Sequence, residues 1–242
     1  MQITSLTNAK VKQWAKYKEK KHRDAAQCFL IEGEHLIEEA DKAGLIDCII
    51  IEEGKQNNFP DYETYEVTKD ILHKLSDSVS GTWIMAVCHY PIYTVDHYGH
   101  KVIVLDDVQD PGNVGTIIRT ALSFGYDSVL LSQRCADVYS QKVLRSTQGS
   151  IFHIPVIRGD IMTMLSQLKQ QGIPLYATAL RNASPLQETP RQESLALIFG
   201  NEGNGVSTQV QEYCDQRVYI EMNTFESLNV AVAAGICMYF FK

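Results

Sequence analysis

Three short apolar segments in the second half of the chain constrain its fold more than any other feature. None of them alternates apolar with polar side chains: VIVL at 102–105, SVLL at 128–131 and LALIF at 195–199. Strands of this kind are buried on both faces, which is typical of parallel sheets that helices cover on both sides. Further strands are predicted at 175–180 and 218–220, and helices at 114–124, 138–146, 161–171, 206–213 and 228–241. The sequence therefore predicts an α/β domain with a parallel sheet from Lys101 onward.

The first part of the chain has a different rhythm, in which short helices alternate with short apolar strands. Strands are predicted at 28–31, 48–51 and 83–88, and helices at 34–43 and from the cap Thr68 to Leu75. The pattern breaks at residues 89–100, where HYPIYTVDHYGH is typical of a linker. We therefore predict a small α/β domain over 1–94, a linker over 95–100 and a larger domain over 101–242.

Composition excludes several classes of protein. The longest apolar run, at 230–241, has 12 residues, whereas a membrane-spanning helix needs about 20. The lysine-rich N-terminus has no apolar stretch behind it and predicts no secretory signal. Six cysteines are scattered without a CxxC pair, and seven histidines show no metal-ligand spacing. These features predict a cytoplasmic protein with reduced cysteines and no metal.

The charge of the chain is unevenly distributed. Residues 1–30 hold seven Lys and Arg against two acidic residues, a local charge of +5 in a chain whose net charge is −7. Clustered cations indicate an anionic partner such as nucleic acid. A solvated helix face explains the same pattern, and charge alone does not decide between the two.

Three clusters of polar and glycine residues follow the carboxyl ends of predicted strands, where ligands bind in doubly wound sheets. In the first, Pro111 and Gly112 predict a tight turn, Asn113 a helix cap, and Arg119 follows six residues later. A capped helix with a solvent-facing arginine would also fit. Asp106, Asp107 and Asp110 resemble a magnesium site, although an Asp-rich turn is the commoner arrangement.

The second and third clusters are weak signals when taken alone. Residues 200–205 follow G-x-x-G-x-G, which is neither the dinucleotide G-x-G-x-x-G nor a phosphate-binding P-loop. A nucleotide-binding oxidoreductase is therefore disfavoured, while a plain glycine turn remains open. In the third cluster, Ser227 and Asn229 open an apolar helix, with Ser227 as the expected cap.

Taken together and in this order, the clusters resemble the three motifs of the SpoU (TrmH-type) branch of the SPOUT RNA 2′-O-ribose methyltransferases. DPGNVGTIIRTALSFG is similar to the first motif, LIFGNEGNGVS to the second, and IEM with ESLNVAVAAGI to the third. The first domain resembles, less specifically, the RNA-binding extension of that family. This would assign RNA binding to the basic segment, through Lys10, Lys12, Lys16, Lys20, Lys21 and Arg23.

The resemblance implies a fold, a cofactor and a set of site residues. The fold would be a parallel sheet with a deep trefoil knot, an exception to the rule against knots. The active site would be completed across a homodimer. S-adenosylmethionine would be the cofactor, bound by Thr178, Leu180, Gly200, Asn201, Ile220, Met222 and Leu228. The catalytic positions would be Asn113, Arg119, Glu202, Ser227 and Asn229.

Arginine is protonated below a pH of about 12, so we expect Arg119 to align the target phosphate and stabilise the developing alkoxide. It would act as a base only if RNA perturbs it. The chain departs from the family pattern after the third strand end, where Glu221 replaces a proline and residues 223–226 lack the glycine. An RNA-binding protein with lost catalysis is therefore the alternative. Ribosomal RNA is the expected substrate by analogy with the family, with transfer RNA the second choice.

Overall fold

The computed structural model describes residues 1–78, 81–93, 98–223 and 227–242, which form nine α-helices and twelve β-strands. The helices are α1 (Ala9–Lys16), α2 (Lys20–Ala26), α3 (Glu34–Lys42), α4 (Lys69–Leu75), α5 (Pro111–Ser123), α6 (Gln141–Thr147), α7 (Ile161–Gln170), α8 (Thr208–Tyr213) and α9 (Val230–Phe240). The strands are β1 (Gln2–Ile3), β2 (Cys28–Glu32), β3 (Ile46–Glu52), β4 (Glu63–Val67), β5 (Ile84–His89), β6 (Lys101–Asp106), β7 (Ser128–Leu131), β8 (Val156–Arg158), β9 (Leu175–Thr178), β10 (Ser184–Pro185), β11 (Leu195–Gly200) and β12 (Gln216–Tyr219).

The chain divides into two compact units. Unit 1 comprises Met1–Ile92 and Tyr139–Phe152, and unit 2 comprises Tyr93–Val138 and His153–Lys242. Residues 139–152, which the sequence analysis placed in the larger domain, therefore pack with unit 1. Part of the predicted linker, residues 94–97, lies outside the described residues.

Unit 1 is built on a mixed sheet with strand order β1-β4-β3-β5-β2. Strands β1, β4 and β3 pair in parallel, whereas β5 pairs antiparallel with both β3 and β2. Its core includes Trp14 of α1, whose ring meets Tyr65 edge-on at 5.2 Å between centroids. The sequence analysis missed β1, which has two residues, and β4, whose ETYEV leaves only Tyr65 and Val67 buried.

Unit 2 confirms the predicted parallel sheet. Its strand order is β10-β12-β9-β11-β6-β7-β8, and every neighbouring pair is parallel. Strand β11 is buried along its whole length because α9 packs on it and the neighbouring strands cover its edges. Helix α5 packs against both β7 and α9. The carboxyl ends of all these strands lie at one edge of the sheet, as parallel pairing requires.

At the predicted site, the starts of α5 and α9 differ from the prediction. Helix α5 begins at Pro111, with Asp110 as the N-cap, because the fixed φ of proline suits the first helical position. Asn113 is therefore inside the first turn and is not the cap. Helix α9 is capped by Asn229 rather than by Ser227.

Two compositional predictions can be compared with the structure. All six cysteines are free, and all except the half-buried Cys214 are buried. Among the described residues, no helix has the length and apolar character needed to cross a membrane.

Candidate active site

The first two sequence clusters begin side by side. Strands β6 and β11 pair in parallel with Asp106 opposite Gly200, so the loops that follow them leave the sheet from adjacent positions. The buried Asp106 carboxylate accepts a hydrogen bond from Ser207 N at 2.8 Å, which fastens the far end of the second loop to the end of β6. The two motifs are thus held together at the carboxyl edge of the sheet.

Gly200 is the position where the second loop needs glycine. A Cβ at this residue would lie 2.0 Å from both the Gly205 carbonyl carbon and the Val206 nitrogen. The loop folds back on itself through hydrogen bonds from Asn201 N to Gly205 O (3.0 Å) and from Gly205 N to Asn201 O (2.8 Å). Two backbone segments therefore meet where any other residue would place a side chain.

Asn201 holds the second loop in shape with both ends of its amide. Its Oδ1 accepts from Gly203 N at 3.0 Å and from Asn204 N at 3.2 Å. Its Nδ2 donates to Asp107 O at 3.0 Å and so reaches the loop after β6. These contacts assign the Asn201 side chain a loop-shaping role beside the expected cofactor pocket.

Glu202 accepts hydrogen bonds from the first loop. Its carboxylate receives Asn113 Nδ2 at 3.0 Å, Asp110 N at 3.1 Å and Gln109 N at 3.3 Å. Burial raises the pKa of Glu202, but these hydrogen bonds outweigh that effect and lower the pKa below its ordinary value. A carboxylate held in this way is an orienting group and a poor general base.

Asn229 extends this contact to the third cluster. Its Oδ1 caps α9 by accepting from Ala231 N at 2.9 Å, while its Nδ2 donates to Asn113 Oδ1 at 2.9 Å. Asn113 therefore lies between Glu202 and Asn229 and bonds both through the two ends of its amide. Three of the five predicted catalytic residues, one from each motif, form a single hydrogen-bonded chain, which we call the Asn–Glu–Asn chain.

Arg119 and Ser227 do not take part in that chain. Arg119 is exposed on α5, and Ser227 is exposed two residues before the α9 cap. Thr120, the neighbour of Arg119, lies against α9, because its Cγ2 is 3.9 Å from the Cβ position of Gly235. Arg119 thus lies on a helix that packs against α9, six residues after Asn113 on the same helix.

The expected cofactor residues surround the same edge. Strands β9 and β12 pair with Thr178 opposite Val218, so Leu180 and Ile220 follow neighbouring strand ends. Ile220 and Met222 are half-buried, whereas Leu180 and Leu228 are exposed. Thr178 Oγ1 donates to Ile198 O at 3.1 Å. The departure from the family pattern extends to residues 224–226, which lie outside the described residues.

Comparison with known proteins agrees with this geometry. Residues 100–239 match the SpoU rRNA Methylase family, and residues 8–86 match the MRM3-like substrate binding domain. The chain belongs to the SpoU rRNA methylase family. The predicted family, the class of RNA ribose 2′-O-methyltransferases and S-adenosylmethionine as cofactor are thereby confirmed.

Individual relatives resemble the chain over nearly its full length. The chain is 44% identical to the 23S rRNA (guanosine(2553)-2′-O)-methyltransferase RlmP of Bacillus subtilis, covering 98% of each chain. A crystal structure of an RNA 2′-O ribose methyltransferase is 30% identical, with a TM-score of 0.83 and coverage of 99% and 97%. The AdoMet-bound rRNA methyltransferase from Sinorhizobium meliloti is 25% identical, with a TM-score of 0.89 and coverage of 99% and 96%.

The Asp-rich turn of this SpoU family member is structural. Asp106 holds Ser207 N, Asp110 caps α5 through Asn113 N at 2.9 Å, and Asp107 accepts from Ser132 Oγ at 2.6 Å and from Arg134. Each carboxylate thus accepts hydrogen bonds from groups of the fold itself. Across residues 1–78, 81–93, 98–223 and 227–242, no group of three or more His, Cys, Asp or Glu could hold a metal ion.

The predicted RNA-binding cations in unit 1 fall into two groups. Lys12 and Lys16 lie one turn apart on α1 and are exposed, as are Lys20 and Lys21 at the start of α2. Lys10 is also exposed, and its Nζ lies 4.5 Å from the centroid of the Tyr65 ring. All five lysines are exposed, and two of them are ion-paired within unit 1, Lys20 with Asp24 and Lys21 with Glu19 at 2.9 Å.

Arg23 is the exception, and the prediction that it binds RNA is wrong. Its side chain is buried, and its Nη1 donates to the carbonyls of Tyr17 at 2.6 Å and Lys18 at 2.9 Å. These carbonyls belong to the connection between α1 and α2. Arg23 therefore stabilises that connection from inside the fold, where RNA has no access.

The sequence analysis also missed a group of contacts among the ends of β6, β7 and β8. Asp107 after β6 bonds Ser132 and Arg134 after β7, and Arg158 at the end of β8 donates to the Ser132 carbonyl. Their partners are 25 to 27 residues apart in sequence. A local pattern carries no signal for such contacts, although the unusual left-handed backbone of Asp107, with φ of 60°, marks its position in the structure.

The Glu202 contacts make stability depend on pH. Because the pKa of Glu202 is lowered on folding from 4.5, the ionised carboxylate stabilises the fold above that value and ceases to do so as the pH falls through the folded pKa. We expect Glu202→Gln to lower the free energy of unfolding at pH 7. The difference from wild type should shrink steadily below about pH 4.5. Urea unfolding of both proteins across pH 3 to 7 measures it, and a difference independent of pH would contradict the assignment.

Proposed function

We propose that this chain transfers the methyl group of S-adenosylmethionine to the 2′-hydroxyl of a ribose in ribosomal RNA. The observation that carries the proposal is the Asn–Glu–Asn chain, which joins all three family motifs at the carboxyl edge of the sheet. Membership of the SpoU rRNA methylase family and the 44% identity to a 23S rRNA methyltransferase support this substrate.

The residues at this edge fit the cofactor. S-adenosylmethionine supplies a methyl group activated by a sulfonium centre. Its adenine needs apolar surface and backbone hydrogen bonds, as cofactor pockets generally provide. Leu180 and Leu228 are apolar yet exposed beside the motif loops. Gly200 has no side chain, so its backbone groups are uncovered at the end of β11. We assign Thr178, Leu180, Gly200, Ile220, Met222 and Leu228 to the cofactor, with Asn201 shaping their loop.

A ribose hydroxyl is a poor nucleophile, so the site must align it and stabilise the negative charge that develops as its proton leaves. Arg119 aligns the neighbouring phosphate and stabilises the alkoxide, a role that suits a permanently charged guanidinium. Asn113 and Asn229 fix the shape of the surrounding loops, and Glu202 holds Asn113 through hydrogen bonds. We assign Ser227, which is exposed two residues before Asn229, to contact with the ribose.

We propose a homodimer assembled through α9. Its exposed face presents Val232, Ile236 and Tyr239, which are 51%, 40% and 59% exposed. Apolar surface arranged in this way marks an interaction site. Because Arg119 is exposed on α5, which packs against α9, we propose that dimerisation through α9 brings Arg119 to the partner's Asn–Glu–Asn chain and completes both active sites.

Ile236→Glu is expected to convert this dimer into a monomer, because it places an unpaired charge in the centre of an apolar interface. Light scattering coupled to size-exclusion chromatography measures the change. Ile92→Glu is the matched control, since Ile92 is 94% exposed and lies outside α9. If Ile236→Glu keeps the mass of the wild type, whether that is one chain or two, the interface is not on this face.

The strand order of unit 2 fits a knotted chain. We propose that the C-terminal part of unit 2 forms the deep trefoil knot, since β9 lies between β11 and β12, which come later in the chain.

We assign RNA binding to unit 1, residues 1–94 by the predicted boundary, through Lys10, Lys12, Lys16, Lys20 and Lys21. The match to a substrate binding domain supports that role. A ribosomal RNA substrate supports the proposal that the protein acts in the cytoplasm.

The proposed function is tested by incubating the purified protein with labelled S-adenosylmethionine and unmodified transcripts of 23S rRNA and of transfer RNA. We expect label in 23S rRNA alone, at a nucleotide that resists alkaline cleavage because its 2′-oxygen carries a methyl group. Label in transfer RNA alone would show that transfer RNA, and not ribosomal RNA, is the substrate. Tight cofactor binding without transfer to either RNA would favour the RNA-binding alternative.

A further inference from the structure

The cations of unit 2 differ in their surroundings. Three of them donate to backbone carbonyls, one pairs with a carboxylate, and two lie over aromatic rings: Lys101, Arg158, Arg217, Lys169, Arg191 and Lys242. The other three, Arg119, Arg134 and Arg181, are exposed on the segments that follow β6, β7 and β9. Of these three, Arg134 lies in the loop directly after β7, at the carboxyl edge of the sheet, and it pairs with Asp107.

The backbone around Arg134 is fixed. Arg158 Nη1 donates to the carbonyls of Ser132 at 2.9 Å and Cys135 at 2.9 Å, and its Nη2 donates to the Ala136 carbonyl at 2.5 Å. Arg158 Nη1 also reaches the Gln133 carbonyl at 3.1 Å, so the residues on both sides of Arg134 are held. One guanidinium therefore clamps the whole turn that presents Arg134.

The side chain of Arg134 is fixed as well. Its Nε donates to Asp107 Oδ2 at 2.8 Å, and its Nη2 donates to the same oxygen. Asp107 is itself anchored, because Ser132 Oγ donates to its Oδ1 at 2.6 Å and Asn201 Nδ2 donates to its carbonyl oxygen. Asp107 thereby connects Arg134 to the loop that carries Glu202.

This anchored arginine is nevertheless open to solvent. The Arg134 side chain is 77% exposed, whereas that of Asp107 is 18% exposed. A guanidinium carries five N–H donors, and the Asp107 contact uses one on Nε and one on Nη2, which leaves three donors along the Nη1–Nη2 edge for a ligand. Holding such a group in place before binding reduces the entropy lost when it meets a ligand. Planar forked donors of this kind match the oxygens of a phosphate.

We propose that Arg134 binds a backbone phosphate of the substrate RNA and that Asp107 positions it to do so. This inference rests on the proposed function, since the phosphate belongs to the RNA whose ribose is methylated. The Asp107–Arg134 pair has no net charge. Its contribution therefore comes from directed hydrogen bonds at a fixed distance from the Asn–Glu–Asn chain, rather than from long-range attraction.

Arg134→Ala tests the inference in the full-length protein, with unmodified 23S rRNA transcript as the RNA. We expect the dissociation constant for RNA and the KM for RNA to rise at least about tenfold, as for loss of a hydrogen bond to a charged group. The kcat and the dissociation constant for S-adenosylmethionine should stay within about twofold of wild type. Arg134→Lys keeps the charge without the fork and should recover only part of the affinity.

Lys169→Ala is the matched control. Lys169 is also an ion-paired cation of unit 2, at 2.8 Å from Asp215, but Asp215 holds the first residue of β9 at the opposite edge of the sheet. Unchanged RNA affinity in Arg134→Ala, or an equal loss in Lys169→Ala, overturns the inference. A lower melting temperature with weaker cofactor binding would instead assign Arg134 a purely structural role. RNA binding is measured apart from transfer, so a wild type that transfers no methyl group refutes the proposed function alone.

Discussion

Arg119→Ala is expected to reduce the rate of methyl transfer by about 10²- to 10³-fold, the usual effect of removing one preorganised charged donor from a site. Arg119 is exposed on α5, and its side chain is not part of the Asn–Glu–Asn chain. The loops that bind the cofactor should therefore keep their shape. Single-turnover transfer measures the rate, and calorimetry with S-adenosylmethionine should give the wild-type dissociation constant.

Two further variants show whether a loss of rate is specific to the Arg119 guanidinium. Thr116→Ala changes another exposed residue of α5, one turn earlier, and should leave the rate within about twofold of wild type. Arg119→Lys keeps the charge but loses the planar fork, and should restore only part of the rate. Full activity of Arg119→Ala would show that the reaction does not use this residue. Loss of cofactor binding would show that it supports the fold instead.

Gly200→Ala is expected to abolish most S-adenosylmethionine binding. The added Cβ would lie 2.0 Å from two backbone atoms of the same loop, and backbone atoms cannot move aside as a flexible side chain can. The loop must therefore open, at a cost of about 1–3 kcal/mol in the free energy of unfolding. Because Asn201 and Glu202 follow immediately, their contacts with Asp107 and Asn113 should weaken together.

Gly203→Ala is the control within the same loop. A Cβ at Gly203 would meet only Asn201 Oδ1, at 3.5 Å, which is an ordinary contact. We expect this variant to keep the cofactor affinity and melting temperature of the wild type. Equal effects of the two substitutions would mean that the loop tolerates no side chain at all. No effect of Gly200→Ala would mean that the pocket does not depend on this backbone approach.

Much of the fold could be predicted from local sequence. LALIF and SVLL become buried central strands because an uninterrupted apolar run fits a parallel sheet and few other environments. The first two motif loops were also found, since each follows such a strand, whereas the third follows β12, in which only Val218 is buried. Helix α5 begins three residues earlier and α9 two residues later than predicted, because Asp110 and Asn229 cap them where Asn113 and Ser227 also made acceptable caps.

The features that could not be predicted from the sequence depend on contacts between residues that are far apart in the chain. Arg23 belongs to a basic run, yet a buried pair of carbonyls accepts its guanidinium, and no charge count separates it from its exposed neighbours. Arg134 is an isolated residue in sequence, and its significance depends on Asp107, 27 positions earlier. Residues 139–152 follow the strand rhythm of unit 2 but pack in unit 1. Each case depends on which segments meet in space.

The double use of Asn229 has a consequence for how a local disturbance spreads. The amide that caps α9 through Ala231 N is also the one that holds Asn113. Fraying of the first turn of α9 therefore also releases Asn113 and weakens the contact of Asn113 with Glu202. The start of α9 and the loops after β6 and β11 thus behave as one cooperative unit, in which the loss of one contact is felt by the other two.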